Sequence, residues 1–237
     1  MNGVTEETRR PRRAPAPGER KLDAERSRRL LLDAALDEFA AKGYAGARVQ
    51  DIADRAGVNK QLINYYFGGK EGLYREISCR WRETEARFND PDIGLDEVLI
   101  RYLRHALDDP RGTRLNALRG LTGTFDGEPP IEREDLSELV RRQAEGELAD
   151  DLDPAAVMLV MMAVVAAPVV LPLAVHRVFG VSPDSPEFQE HYAEQLRRIV
   201  RHLAGRPRAE KAEGAAADGA DGADGADSGG GGGGAGD

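Results

Sequence analysis

Lys60, Gln61, Asn64 and Tyr65 bring an ammonium, two carboxamides and a phenol into six consecutive residues. No nucleophile–base pattern stands among them, and Gly68-Gly69-Lys70 lacks the spacing of a phosphate-binding loop. What the set can do is form hydrogen bonds in a fixed pattern. The carboxamide of Asn64 presents one acceptor and one donor group, which matches the edge of adenine in the major groove of DNA. Such a reading surface needs a helix beneath it. Ile63 and Phe67, one turn apart, are the positions that would be buried, leaving Lys60, Gln61, Asn64 and Tyr65 on the other faces. Asn59, just ahead, supplies a side-chain oxygen to cap that helix.

A second short helix must hold the first. Val49, Ile52, Ala53 and Ala56 fall at i, i+3, i+4 and i+7, one apolar stripe. Gly57 follows where a helix ending in a left-handed residue favours glycine. Two short helices joined by a tight turn, the second with a polar face, describe a helix-turn-helix.

With these residues in view, the stretch resembles the DNA-binding unit of the TetR family of bacterial transcriptional regulators. The matching positions run from Leu31, Leu32, Ala35, Leu36, Phe39, Gly43 and Tyr44 through Asp51, Ile52, Ala53, Ala56, Gly57, Val58, Ile63, Tyr66 and Phe67 to Lys70, Glu71 and Leu73. The polar face of Lys60, Gln61, Asn64 and Tyr65 is the expected base-reading surface, and the resemblance implies phosphate contacts from Tyr66 and Lys70. It also marks departures. Arg48 stands where the family usually has a capping Thr or Ser, which should weaken that helix start by about 1 kcal/mol; as a long cation, Arg48 can still reach phosphate. Leu62 replaces a hydroxyl residue, and Asn64 stands where many members carry Tyr.

Composition sets the frame. The 237 residues allow one domain or two small ones. A net charge of −9 does not argue against nucleic acid, because DNA meets a local patch and part of the acidity lies in a tail. Cys79 is the only cysteine, which excludes an intrachain disulfide and fits a cytoplasmic protein. No apolar run follows the N-terminal arginines, so a secretory signal is not expected.

Along the chain, residues 1–20 read as a disordered basic arm around Arg9, Arg10, Arg12 and Arg13. Residues 21–69 read as the DNA-binding domain, with a first helix over Asp23 to Lys42 ended by Gly43. Residues 70–205 read as a helical ligand-binding and dimerisation domain. Its helices are expected from Lys70 to Phe88, Leu95 to Leu107, Leu115 to Leu121, and Ile131 to Leu148 with Leu136, Leu139, Val140 and Ala144 inward. Residues 206–237, with three Asp-Gly-Ala repeats and six consecutive glycines, read as a disordered acidic tail.

Pro154 to Val175 carries no charge over 22 residues. A run of that length is a membrane-span candidate. A helix apolar all round can equally be buried on every side, and the resemblance supplies the second cover: a partner subunit. Ser185-Pro186 then caps a last helix to Leu203, whose seam includes Tyr192, Leu196, Ile199 and Leu203, the expected dimer interface. His191 and His202 lie about 16 Å apart along a helix, too far for one ion, so neither a metal nor a cofactor is expected.

The sequence therefore points to an all-α fold, and the resemblance implies three helices for DNA followed by about six, with the last two pairing across a homodimer. The implied function is a non-enzymatic regulator of transcription, most simply a repressor, on an inverted-repeat operator. The alternatives are an activator and a membrane-anchored regulator using residues 154–175. An unidentified apolar ligand should sit among the middle helices, with Tyr102, His105, Phe125, Met158 and Met162 as lining candidates.

Overall fold

The computed structural model describes residues 17–122 and 133–204, and every regular element among them is a helix. The basic arm as far as residue 16, the acidic tail and Phe125 lie outside the described residues.

Three helices build the N-terminal head: α1 (Pro17–Gly46), α2 (Val49–Ala56) and α3 (Gln61–Phe67). α1 begins earlier than its apolar stripe suggested, because the stripe marks only the part of the helix that is covered. Gly43 interrupts it with φ 70° and ψ 171°, and a further helical turn follows to Gly46. Leu31, Ala35, Phe39, Ile52, Ala53, Ile63 and Leu73 form one closed core. Phe39, Tyr44 and Tyr74 meet in it with ring centroids 5.1–5.8 Å apart. Phe67 is only half-buried, a correction to its expected place: its ring lies 5.3 Å beneath the Arg28 guanidinium at the rim.

α4 (Lys70–Phe88) leaves the head and α5 (Leu95–Asp108) returns along the body. Gly72, in the first turn of α4, lies so close to α3 that a Cβ there would sit 1.6 Å from the Phe67 carbonyl oxygen. α6 (Arg111–Thr122) is longer than expected. Asp109 Oδ1 accepts from the Arg111 backbone N–H at 3.2 Å and starts the helix ahead of Gly112, which lies inside it. Leu115 of α6 belongs to the head core.

α7 is confined to Ser137–Ala144. Of its four expected inward residues, Leu139 is buried and Leu136 half-buried, while Val140 and Ala144 face water. Arg142 takes the buried place instead: its guanidinium donates to Glu138 and Glu147 and to the backbone carbonyls of Asp90 and Ile93, at 2.8–3.1 Å. A buried cation persists only with such complete pairing.

The uncharged run is not one helix. α8 (Pro154–Val170) and α9 (Pro172–Phe179) meet at Leu171 with an 86° bend. Pro172 has no N–H to continue the ladder and serves instead as the first residue of α9, while Pro168 is tolerated inside α8. Seven helices thus follow the head among the described residues, rather than about six. α10 (Pro186–His202) is capped by Ser185 Oγ, which accepts from the Phe188 N–H at 3.3 Å. The second core joins Leu99, Ile100 and Leu103 of α5 to Leu139, Val157, Ala193, Leu196 and Val200.

Candidate nucleic-acid interface

The turn between α2 and α3 is made by Gly57, left-handed at φ 66° with its N–H closing onto Asp54 O. Val58 N–H bonds to Ala53 O, completing the helix end. Asn59 Oδ1 then accepts from the Gln61 N–H at 2.8 Å. Lys60 already has helical angles (φ −50°, ψ −34°), so Asn59 is the working cap. At the start of α2, Arg48 makes no side-chain cap, as its replacement of a hydroxyl residue implied.

Lys60, Gln61, Asn64 and Tyr65 all face water, and Tyr65 is 80% exposed. Ile63, between them in sequence, has no exposed surface. α3 is therefore divided between a face that holds it and a polar face left open. Tyr66 is half-buried, edge-on to both Tyr65 and Phe67. Arg48 is exposed just ahead of α2. Lys70 donates to Ala45 O at 3.2 Å, and its ammonium lies 4.6 Å from the centre of the Tyr44 ring. The α1 end thus positions Lys70 where α4 begins.

Ionic contacts hold α2 on α1. Arg55 Nη2 lies 2.9 Å from Glu38 Oε1, and Lys42 Nζ lies 2.6 Å from Glu38 Oε2 and 2.8 Å from Asp51 Oδ2. The Lys42–Glu38 contact is an ion pair off the hydrogen-bond direction. The Lys42 ammonium, opposed by burial and aided by Arg55, keeps the Glu38 carboxyl below the usual carboxylate range; Lys42 lowers Asp51 as well. Buried Glu38 was not foreseen, although its i,i+4 spacing to Lys42 was a visible signal.

The ligand candidates divide into two groups. Tyr102 and His105 pack with Trp81 and Phe88 at centroid separations of 5.1–6.1 Å. The Tyr102 hydroxyl donates to Glu85 at 3.1 Å, and burial, followed by the Glu85 charge, pushes its pKa up. Met158 and Met162 instead line an open cleft with Arg133, Glu134, Leu136, Ala155 and Leu159. Among the described residues the two groups have different neighbours.

The dimer candidates also divide. Leu196 is 2% exposed and lies in the chain's own core, so it has no surface left for a partner; its place at the seam is corrected. Tyr192 and Leu203 are half-buried against that core, with the Tyr192 hydroxyl bonded to Val164 O at 2.9 Å. Ile199 alone of the four is exposed, at 53%. Large apolar side chains open to water continue along α8 and α9: Leu159, Val160, Leu173 and Val178.

Comparison with known proteins places this geometry. Residues 31–77 match the family described as bacterial regulatory proteins, tetR family. The HTH-type transcriptional regulator RutR of Escherichia coli K12 is 33% identical over 113 residues, covering 45% of this chain and 53% of RutR. The HTH-type transcriptional repressor NicS of Pseudomonas putida is 33% identical over 100 residues, covering 37% of this chain and 47% of NicS. The chain thus spans about half the length of these relatives. The crystal structure of SCO4942 from Streptomyces coelicolor superposes with a TM-score of 0.58 at 27% identity, covering 76% of this chain and 99% of that one. A TetR family transcriptional regulator from Chloroflexus aurantiacus shares the fold, with a TM-score of 0.51 at 20% identity, covering 77% of this chain and 95% of that one. The N-terminal unit of the chain, residues 31–77, is thus similar to that of the tetR family of bacterial regulatory proteins.

Proposed function

We propose that this chain is a sequence-specific, DNA-binding regulator of transcription that acts as a homodimer. Residues 21–69 would form its DNA-binding domain and residues 70–205 its ligand-binding and dimerisation domain. The observation that carries the reading is α3, a short helix pinned by Ile63 while Lys60, Gln61, Asn64 and Tyr65 stay open to water. Only the open residues can meet base edges, and Arg48, Tyr66 and Lys70 flank them toward phosphates.

The open apolar face of α8 and α9, with Ile199 of α10, supports the dimer. Two such faces cover one another, and a two-fold pair presents two reading helices to an inverted-repeat operator. Anchoring in a membrane has less support. Among the described residues no single helix is long and apolar enough to cross one, and the α8–α9 pair is bent by 86°. α8 also commits Val157 to the chain's own core. Its action would be repression relieved by a small apolar molecule, and the cleft at Met158 and Met162 supports a site for one: a ligand that prefers the DNA-incompetent shape shifts the population toward it.

The test is selection of bound duplexes, followed by titration of cognate and scrambled DNA at several salt concentrations. Asn64→Ala should cost about 1–3 kcal/mol at the cognate site and relax preference at one position per half-site. Lys70→Ala should weaken both DNAs alike and reduce the salt slope by about one per subunit. Equal loss on both DNAs from Asn64→Ala, together with altered sequence preference from Lys70→Ala, would invert these roles.

A further inference from the structure

The head is gripped by a residue outside the stretch that matches the family. Arg111 opens α6, and Asp109 fixes its guanidinium through Nε at 2.8 Å and Nη2 at 2.7 Å. The remaining nitrogen, Nη1, reaches across to α1, where it donates to Asp33 Oδ1 at 2.7 Å and Asp37 Oδ1 at 2.8 Å. Asp37 is shared, since its other oxygen lies 3.6 Å from Arg55 Nη1 of α2. From Arg55 the alternation of charge continues through Glu38 and Lys42 to Asp51. α2 is thereby held at both ends, by Asp51 in its first turn and Arg55 in its last.

We infer that Arg111 is a positioning residue for the reading helix: from the start of α6 it sets, through Asp37 and Arg55, how α2 and hence α3 sit on α1. The planar fork of arginine is what the site requires, because Asp109 occupies one edge of it, Nε and Nη2, while Nη1 points at α1; a lysine ammonium cannot do both in this geometry. Without the guanidinium, Asp33, Asp37 and Asp109 would face one another with no cation between them. Asp37 would then compete for Arg55 and draw it from Glu38. Leu115, one turn further along α6, is in the head core, so a shift of α6 moves the ion chain and the packing together.

The inference rests on the proposed DNA binding only for its affinity readout, and a second readout needs no DNA. Amide hydrogen exchange across residues 49–67 of the full-length, DNA-free chain should quicken about fivefold or more in Arg111→Gln. It should change less than about twofold in Asp33→Asn, which removes an Arg111 partner that does not lead to α2. Arg111→Lys, which keeps the charge without the fork, should resemble Arg111→Gln and serves if that variant does not fold. Affinity for the selected duplex should fall by about fivefold or more in Arg111→Gln, with no further loss when Arg55→Gln is already present. Unchanged exchange, equal effects of Arg111→Gln and Asp33→Asn, or fold-losses that multiply in the double variant would each overturn the role. If the wild-type chain binds no selected duplex, the DNA-binding proposal fails, while the exchange measurement still decides the positioning of α2.

Discussion

The head and the α8–α9 elbow solve the burial of apolar side chains in opposite ways. In the head, Ile52, Ile63 and Leu73 have no surface open to water, and Tyr65 is the one large apolar side chain of α2 and α3 left exposed. Along α8 and α9, Leu173 is 78% exposed and Val178 75%. The more apolar segment is therefore the less buried one. A helix with one apolar stripe can be satisfied by its own chain, whereas a helix apolar all round offers more surface than one chain can cover. Self-sufficiency is thus concentrated where the proposed DNA reading takes place, and dependence on a partner where the proposed dimer forms.

Leu196 and Ile199 let this contrast be broken by experiment, since they stand three residues apart on α10 with opposite surroundings. Leu196→Ala should carry the largest effect, about 2–5 kcal/mol of global stability from lost burial and a cavity. Chemical denaturation at a fixed chain concentration measures it, and a loss below about 1 kcal/mol would return Leu196 to the seam. Ile199→Glu should leave helical content intact and shift sedimentation from dimer toward monomer, at about 2–3 kcal/mol of association. An unchanged dimer would place the partner face elsewhere on α8 and α9.

A smaller effect sharpens the comparison through acid. The native carboxyls of Glu38, Asp51 and Asp109 are held below their ordinary values of 4.5, 3.8 and 3.8 by neighbouring cations. Their contribution is complete above the unfolded values and is lost as pH falls through the depressed native ones, because the unfolded chain then binds more protons. The thermal midpoint should therefore drop as pH falls below about 4.5, with exchange rising first across α2. Asp51→Asn should flatten that dependence; an unaltered acid slope would remove Asp51 from the chain of charges that holds α2.

How much of this was legible in the sequence follows the same division. α2, its glycine turn and the open face of α3 could be read because stripe, cap and turn residue agreed locally. α4 could be read from Lys70 to Phe88 for the same reason. The seam of α10 is visible, but periodicity shows that a face is covered without showing by what: it gives Leu196 to a partner, whereas the chain's own core covers it. The elbow was hidden because uniform apolarity carries no period, and Pro172 marked a disturbance without giving its angle. Arg142 could not be found from pattern at all, since its carbonyl partners Asp90 and Ile93 lie about fifty residues away and come together only in the fold.

Gly72 has a consequence for which changes the head can accept over time. Replacing a helical glycine by alanine usually strengthens a helix by up to about 1 kcal/mol. Gly112 of α6 fits that rule, with nothing within 4 Å of an added Cβ. At Gly72 the rule reverses: the added carbon would lie 1.6 Å from the Phe67 carbonyl oxygen and 2.7 Å from its carbon, both backbone atoms that cannot swing aside. Any side chain there forces α4 away from the end of α3. In a library of random variants, position 72 should thus be nearly closed to substitution while Gly112 stays permissive. Mutational drift would accordingly be filtered strictly at a residue that carries no functional group.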